Sequence, residues 1–322
     1  MDFPLKKIKI ETTRKCNLDC IYCFNDSNLK REAPDEKFSL ETIKKVIRDA
    51  KEIGLETVMI TGGEPTLELD TFKLLKFCKE LNLKTEIYSN GISLTPPLID
   101  KLCDAGFDKI RITFLTQDDN KFQRLTRSKI QDYKNLIKRN ITYLKNKKIY
   151  VRVGITPILK SSLNEFRRML GFLDKLNVDE VTIAPLRRLG LEIEKTEFIS
   201  KDNAIFLYEE ARKFHKSNPK MMIRFVACWD ESWKDIIKEK ELLWPFQCGI
   251  SWLFIGIGGD VRPGATNPAL LGNIYQKGFD IKKMWQQNKF LEEERKLYLK
   301  CKKCGYRNDY CLIHSNHTIK KS

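Results

Sequence analysis

The chain has 322 residues, 42% of them apolar and 32% charged, with a formal net charge of +16 at pH 7. That apolar share excludes a disordered chain and suits one large α/β domain with an appendage. No run approaches the roughly eighteen uninterrupted apolar residues of a membrane span. Residues 1–7 carry no apolar run after their charges, so a secretory signal is not expected and the expected compartment is the cytoplasm.

In chain order, residues 8–13 read as a strand. Ser39 caps a helix through Ile43, Val46, Ile47 and Ala50, with Gly54 as its stop. Residues 57–61 form the second strand, and a helix runs through Phe72, Leu75, Phe77 and Cys78. Residues 84–89 form the third strand, and Pro97 opens a helix ending near Gly106. Strands at 109–114, 150–155 and 180–184 alternate with helices at 132–147 and 163–175, and residues 202–217 form a further helix. Six strand–helix units in alternation imply a parallel sheet with helices outside. A doubly wound sheet fits, and the reading adopted is a partial (β/α)6 TIM-like barrel with a small C-terminal cysteine-rich domain. In either architecture chemistry sits at the C-terminal strand ends. Residues 252–262 read as a β-hairpin turning through Gly258 and Gly259. The expected division is a core over 1–220, a linker over 221–244 and a tail domain over 245–322.

Six of the ten cysteines form two tight groups: Cys16, Cys20, Cys23 and Cys301, Cys304, Cys311. In a chain without a secretory signal such groups bind metal or iron–sulfur clusters rather than pair as disulfides. Three thiolates in the run Cys16-Asn17-Leu18-Asp19-Cys20-Ile21-Tyr22-Cys23 can hold three corners of a cubane cluster and leave one iron open. An open coordination position separates a reactive centre from a structural one. Structural zinc would want a fourth nearby ligand. Residues 24–37 contain no Cys or His, which leaves Asp26 or a distant cysteine for that role.

This CxxxCxxC run, set after the first strand of a βα array, resembles the radical S-adenosylmethionine (SAM) superfamily. The resemblance implies a 4Fe-4S cluster whose open iron is chelated by SAM. It also implies an electron that cleaves the sulfonium, and a 5′-deoxyadenosyl radical that abstracts hydrogen from a substrate. Tyr22 would pack on the adenine. Gly62-Gly63-Glu64-Pro65 ends the second strand and is similar to the family's GGEP motif, whose backbone and acid hold the SAM amino group. Taken alone, that run also reads as a simple turn. Ser89 and Asn90 match the family position that contacts the SAM ribose or carboxylate. Thr113 stands where relatives carry Ser in a Ser-Leu-Asp-Gly run, which here reads Thr113-Phe114-Leu115-Thr116. Arg127 matches an arginine that pairs with the SAM carboxylate, and reads equally as a surface arginine.

The run from Cys248 through Gly259 to Gly264 resembles the start of a SPASM or twitch domain, which holds auxiliary clusters. Gly264 occupies a position where that pattern has cysteine. Cys248, Cys301, Cys304 and Cys311 then suffice for one auxiliary 4Fe-4S cluster. The rival is zinc on Cys301, Cys304, Cys311 and His314. Cys78 and Cys103 lie on apolar helix faces and read as core. Cys228 reads either as an inert buried thiol or as the donor that returns a hydrogen atom to a substrate radical.

The resemblance implies a substrate that is either a ribosomally made peptide, to be crosslinked, epimerised or oxidised, or a small molecule such as a sugar, alcohol or nucleotide. The basic charge suits an acidic leader peptide. Against the peptide, the barrel begins within ten residues of Met1, which leaves no room for an N-terminal peptide-recognition domain. Against a small-molecule cyclase of the molybdopterin type, the glycine-rich tail expected of it is missing. A flavodoxin or ferredoxin would supply electrons. Nucleic acid and membrane are not expected partners, and a zinc-bearing nucleic-acid-binding protein would leave Tyr22, Gly62, Gly63 and Glu64 without a role.

Overall fold

The structure is a computed structural model that describes residues 3–23, 39–156, 163–184, 201–226, 242, 248–265 and 267–303. In chain order the elements are β1 (Lys7–Glu11), α1 (Leu40–Lys51), β2 (Thr57–Thr61), α2 (Leu69–Glu80), β3 (Lys84–Ser89), α3 (Pro96–Ala105), β4 (Lys109–Thr113), α4 (Asp119–Thr126), α5 (Tyr133–Asn146), β5 (Tyr150–Ile155), α6 (Leu163–Lys175) and β6 (Glu180–Ile183). They continue with α7 (Lys201–Ser217), β7 (Met222–Phe225), β8 (Trp252–Ile255), β9 (Asp260–Arg262), β10 (Gly272–Asn273), α8 (Ile281–Gln287) and α9 (Lys289–Lys303).

Local chemistry explains the boundaries. Ser39 Oγ accepts from the Thr42 N–H at 3.3 Å and opens α1. Gly106, at φ +86°, closes α3 in the left-handed conformation that glycine tolerates. Three helices, α4, α8 and α9, went unread in the sequence, α4 because it is short and largely polar. Phe122 and Leu125 are its buried apolar residues, and Asp118 caps it by accepting from the Lys121 N–H at 2.8 Å.

One sheet runs through the molecule in the order β10-β9-β8-β1-β2-β3-β4-β5-β6-β7. Strands β1 to β7 are parallel, as the strand–helix alternation predicts, and β7 adds a seventh parallel strand to the six expected. The hairpin forms as read, with Ile255 opposite Val261. Its first strand pairs in parallel with β1, so β1 lies inside the sheet. The C-terminal segment also covers the start of the chain. Trp285 Nε1 donates to the Phe3 carbonyl at 2.6 Å, and Lys282 pairs with Glu52 at 2.7 Å.

The two faces of the parallel strands differ. Ile10, Ile60, Ile87, Ile110 and Val151 are register partners across β1–β5 and are wholly buried in the core with the helices. The other face carries Tyr88, Arg111, Arg152 and Glu180, again in register. Lys7 on β1 feels the charges of Arg152 on β5 and Arg224 on β7. A flat sheet would separate β1 from β7 by about 29 Å, well beyond the screening length in salt. The sheet therefore curls, and the polar face lines the inside of the curve.

Candidate active site

The cysteine loop leaves β1 at its C-terminal end. It is held from one side by α4. The Asp19 N–H donates to the Thr126 carbonyl at 3.1 Å, and the Ile21 N–H donates to the Leu125 carbonyl at 3.0 Å. Arg127 follows α4 in the left-handed conformation, and its Nη1 lies 3.3 Å from Asp19 Oδ2. The residue read from the resemblance as a SAM carboxylate partner thus also ties down the loop between Cys16 and Cys20.

From the other side the loop is held by the end of β3. Asn90 Nδ2 donates to Asn17 Oδ1 at 2.6 Å and lies 3.8 Å from Cys16 Sγ, while Asn17 Nδ2 donates to Ser93 Oγ at 2.9 Å. Asn17, Asp19 and Ser93 were not singled out in the sequence. The signal for Asn17 and Asp19 was their place inside CxxxC; Ser93 had none.

The glycine pair has a definite geometric task. Gly62 is at φ +151°, and a Cβ there would lie 2.3 Å from the Thr13 carbonyl oxygen. A Cβ on Gly63 would lie 2.2 Å from the Lys15 carbonyl oxygen. The Gly63 N–H donates to Thr13 O at 2.7 Å, and the Glu64 N–H to Lys15 O at 2.8 Å. The close approach expected at these glycines is made here by the chain's own arm leading into Cys16.

Glu64 is wholly buried. Its Oε1 accepts from Thr66 Oγ1 at 2.5 Å and Ser89 Oγ at 2.9 Å, and its Oε2 accepts from the Asn90 N–H at 2.7 Å. Burial pushes its pKa up, and these donors oppose the rise. The carboxylate thereby fixes Ser89 and Asn90, so three of the expected site residues form one hydrogen-bonded unit. Thr113 ends β4, and its carbonyl accepts from Tyr133 Oη at 3.1 Å. Tyr22 packs against the core beside Cys16 and Cys20.

The thiols fit an iron–sulfur cluster. Burial pushes Cys16 up to about 11 and Cys20 up to about 12, so a bound cation is what would ionise them near neutrality. Cys23 is near enough to raise both Cys16 and Cys20, and Cys16 near enough to raise Cys20. Among the described residues no three such donors converge on a single-ion site. Three neighbouring thiols that do not share one point suit a cluster, whose irons sit apart, better than one zinc.

In the tail, Cys248 Sγ would lie 2.6 Å from a Cβ placed on Gly264, so the position where the resemblance expects cysteine does adjoin a thiol. Cys301 lies on α9, and Cys228, Cys304, Cys311 and His314 lie outside the described residues. Cys78 is buried in the core as expected.

Thiols on a loop at the C-terminal rim of a curled parallel sheet define an α/β protein built around an iron–sulfur centre. The chain belongs to the radical SAM superfamily, whose model matches residues 10–173. That family implies SAM and a 4Fe-4S cluster. The chain is similar to a probable GTP 3′,8-cyclase of Pyrococcus horikoshii, 28% identical over 194 residues. That match spans 60% of this chain and 58% of the relative's own length. It is also similar to the PqqA peptide cyclase of Bradyrhizobium diazoefficiens, 22% identical over 317 residues, 93% of this chain and 78% of that one. In fold it resembles Streptococcus suis SuiB bound to its precursor peptide SuiA, with a TM-score of 0.71 and 18% identity over 92% of this chain and 67% of that one. No helix among the described residues is long and apolar enough to cross a membrane.

Proposed function

We propose that the protein is a radical SAM enzyme that modifies a ribosomally made peptide. Cys16, Cys20 and Cys23 would hold the 4Fe-4S cluster, which when bound supplies the electron that cleaves SAM to a 5′-deoxyadenosyl radical. The chain's own residues aim that chemistry. Asn90 and Arg127 hold the cysteine loop from two sides, Glu64 rigidifies the end of β3, and Tyr22 offers a ring beside the cluster for the adenine. Ser89, Asn90 and Thr113 line the strand ends where SAM would lie.

The observation that carries the peptide reading is the extent of the matches. Similarity to the PqqA peptide cyclase runs over 93% of the chain, whereas similarity to the Pyrococcus horikoshii protein runs over 60%. A match of that length extends into the tail, which supports the peptide reading. The second reading, a small-molecule cyclase or dehydrogenase, is supported by that core match. The reading includes a SPASM/twitch-like tail in which Cys248, Cys301, Cys304 and Cys311 hold one auxiliary 4Fe-4S cluster. It also includes a flavodoxin or ferredoxin as electron donor and a cytoplasmic location, with Cys228 as the hydrogen-atom donor.

Anaerobic reconstitution tests this. The reduced protein should release 5′-deoxyadenosine from SAM, and Cys16→Ala should abolish release. No release, or equal release by the variant, sinks the radical reading. Two cubane clusters mean about eight irons per chain, against about four irons and one zinc for the zinc tail.

A further inference from the structure

Among the described residues, the inner face of the sheet holds a cation, Arg111, that makes no ion pair. Interiors of parallel barrels are usually filled by Val, Ile and Leu. Here the inner row reads Tyr88, Arg111, Arg152, Glu180 across β3–β6. The buried carboxylates of this region are already engaged. Arg152 Nε lies 3.0 Å from Glu180, its Nη1 bonds Glu86, and Arg224 lies 3.7 Å from Glu180.

Arg111 is bonded into none of these pairs. Among the described residues it makes no ion pair or hydrogen bond, although the Glu86 charge acts on it, and its guanidinium carbon lies 5.3 Å from the Tyr88 ring centroid. Burial acts against its charge. Lys109, on the same strand, likewise has no ion pair, and its ammonium rests 4.0 Å from the Tyr150 ring centroid.

The head of Arg111 has a built place. Gly154 is the register partner of Thr113, so it sits one row nearer the C-terminal strand ends than Arg111. A Cβ on Gly154 would lie 2.2 Å from Arg111 Nη2. The glycine leaves the room that the guanidinium fills and lets it reach toward the rim that bears the cysteine loop. The head therefore lies near the Tyr88 ring and beside Gly154, on the side of the C-terminal strand ends. Arg111 is half-buried, and a guanidinium fork matches the oxygens of carboxylate and phosphate.

We propose that Arg111 anchors an oxyanion of the substrate, a carboxylate or a phosphate, inside the curled sheet beneath the cysteine loop. This rests on reading that space as the substrate chamber of a radical SAM enzyme. SAM carries a carboxylate of its own, and the test separates the two sources. Reconstituted wild type, Arg111→Met, Arg111→Lys and Lys138→Met would each be titrated calorimetrically with succinate, inorganic pyrophosphate and SAM. Lys138 is exposed on α5, away from the chamber.

The expected result is that wild type and Lys138→Met bind at least one of the two probes alike. Arg111→Met should weaken that binding about tenfold or more, with Arg111→Lys between. SAM affinity should stay within about twofold, and the melting temperature of Arg111→Met should equal or exceed wild type. A tenfold loss of SAM affinity assigns the residue to the cofactor and overturns the proposal. So does equal probe binding by wild type and Arg111→Met, or no probe binding by wild type. Absence of 5′-deoxyadenosine with the titrations intact would instead overturn the radical reading alone.

Discussion

The outer and inner faces of the parallel strands are made by alternate residues of the same short segments, yet they follow opposite rules. On β4, Lys109-Ile110-Arg111-Ile112-Thr113, the isoleucines are wholly buried and join the helix-packed core, while Arg111 faces inward. Parallel strands covered on both faces usually read as near-continuous apolar runs. Alternation with charge in a parallel sheet therefore marks an inner face lined by polar, charge-paired residues. The outer face sets stability through burial, and the inner face through charge pairing.

Four substitutions sharpen or break that contrast. The largest expected effect is on the inner face: Arg152→Met leaves Glu86 and Glu180 buried beside a missing cation, which should destabilise by about 3–5 kcal/mol. Denaturant unfolding measures it, and a loss under about 1 kcal/mol would mean that the network is solvated. Next is the outer face. Ile110→Ala, at a wholly buried side chain, should lose about 3 kcal/mol by the same method, with SAM affinity unchanged.

At the strand ends, Glu64→Gln keeps the shape but removes the charged acceptor of Thr66, Ser89 and Asn90. About 1–3 kcal/mol should be lost, and iron loading, counted after reconstitution, should fall with it. Undiminished loading would uncouple the β3 end from the cysteine loop.

The smallest effect lies far from both faces. Burial, then the charge of Glu293, raises Glu294 on α9 from an ordinary 4.5 to about 7. The folded state binds this proton more tightly than the unfolded state. The contribution is therefore fully present below about 4.5 and is lost as pH rises through about 7. Glu294→Gln should flatten the fall in melting temperature between those pH values, and an unchanged slope would place the carboxyl in water.

Much of this molecule could be read locally. The six expected strands, the Ser39 cap, the Gly106 stop and the hairpin needed only periodicity and cap chemistry, which act within a few residues. The cysteine spacing pointed to an iron–sulfur loop, and the GGEP run to a close backbone approach. The partner in that approach was not legible, because Thr13 and Lys15 meet Gly62 and Gly63 only after β1 and β2 pair. Nor was it legible that the Glu64 oxygens take donors from Ser89 and Asn90, 25 and 26 residues on.

Spacing and period by themselves determined which residues form strands, which face each takes and where three thiols gather, since those follow from the geometry of a single segment. Tertiary structure alone decided that β8 lies against β1, that Arg152 takes both carboxylates, and that Arg111, among the described residues, pairs with neither. The reason is that ion pairing across a curled sheet depends on which distant strands share a register row, and no local pattern records that.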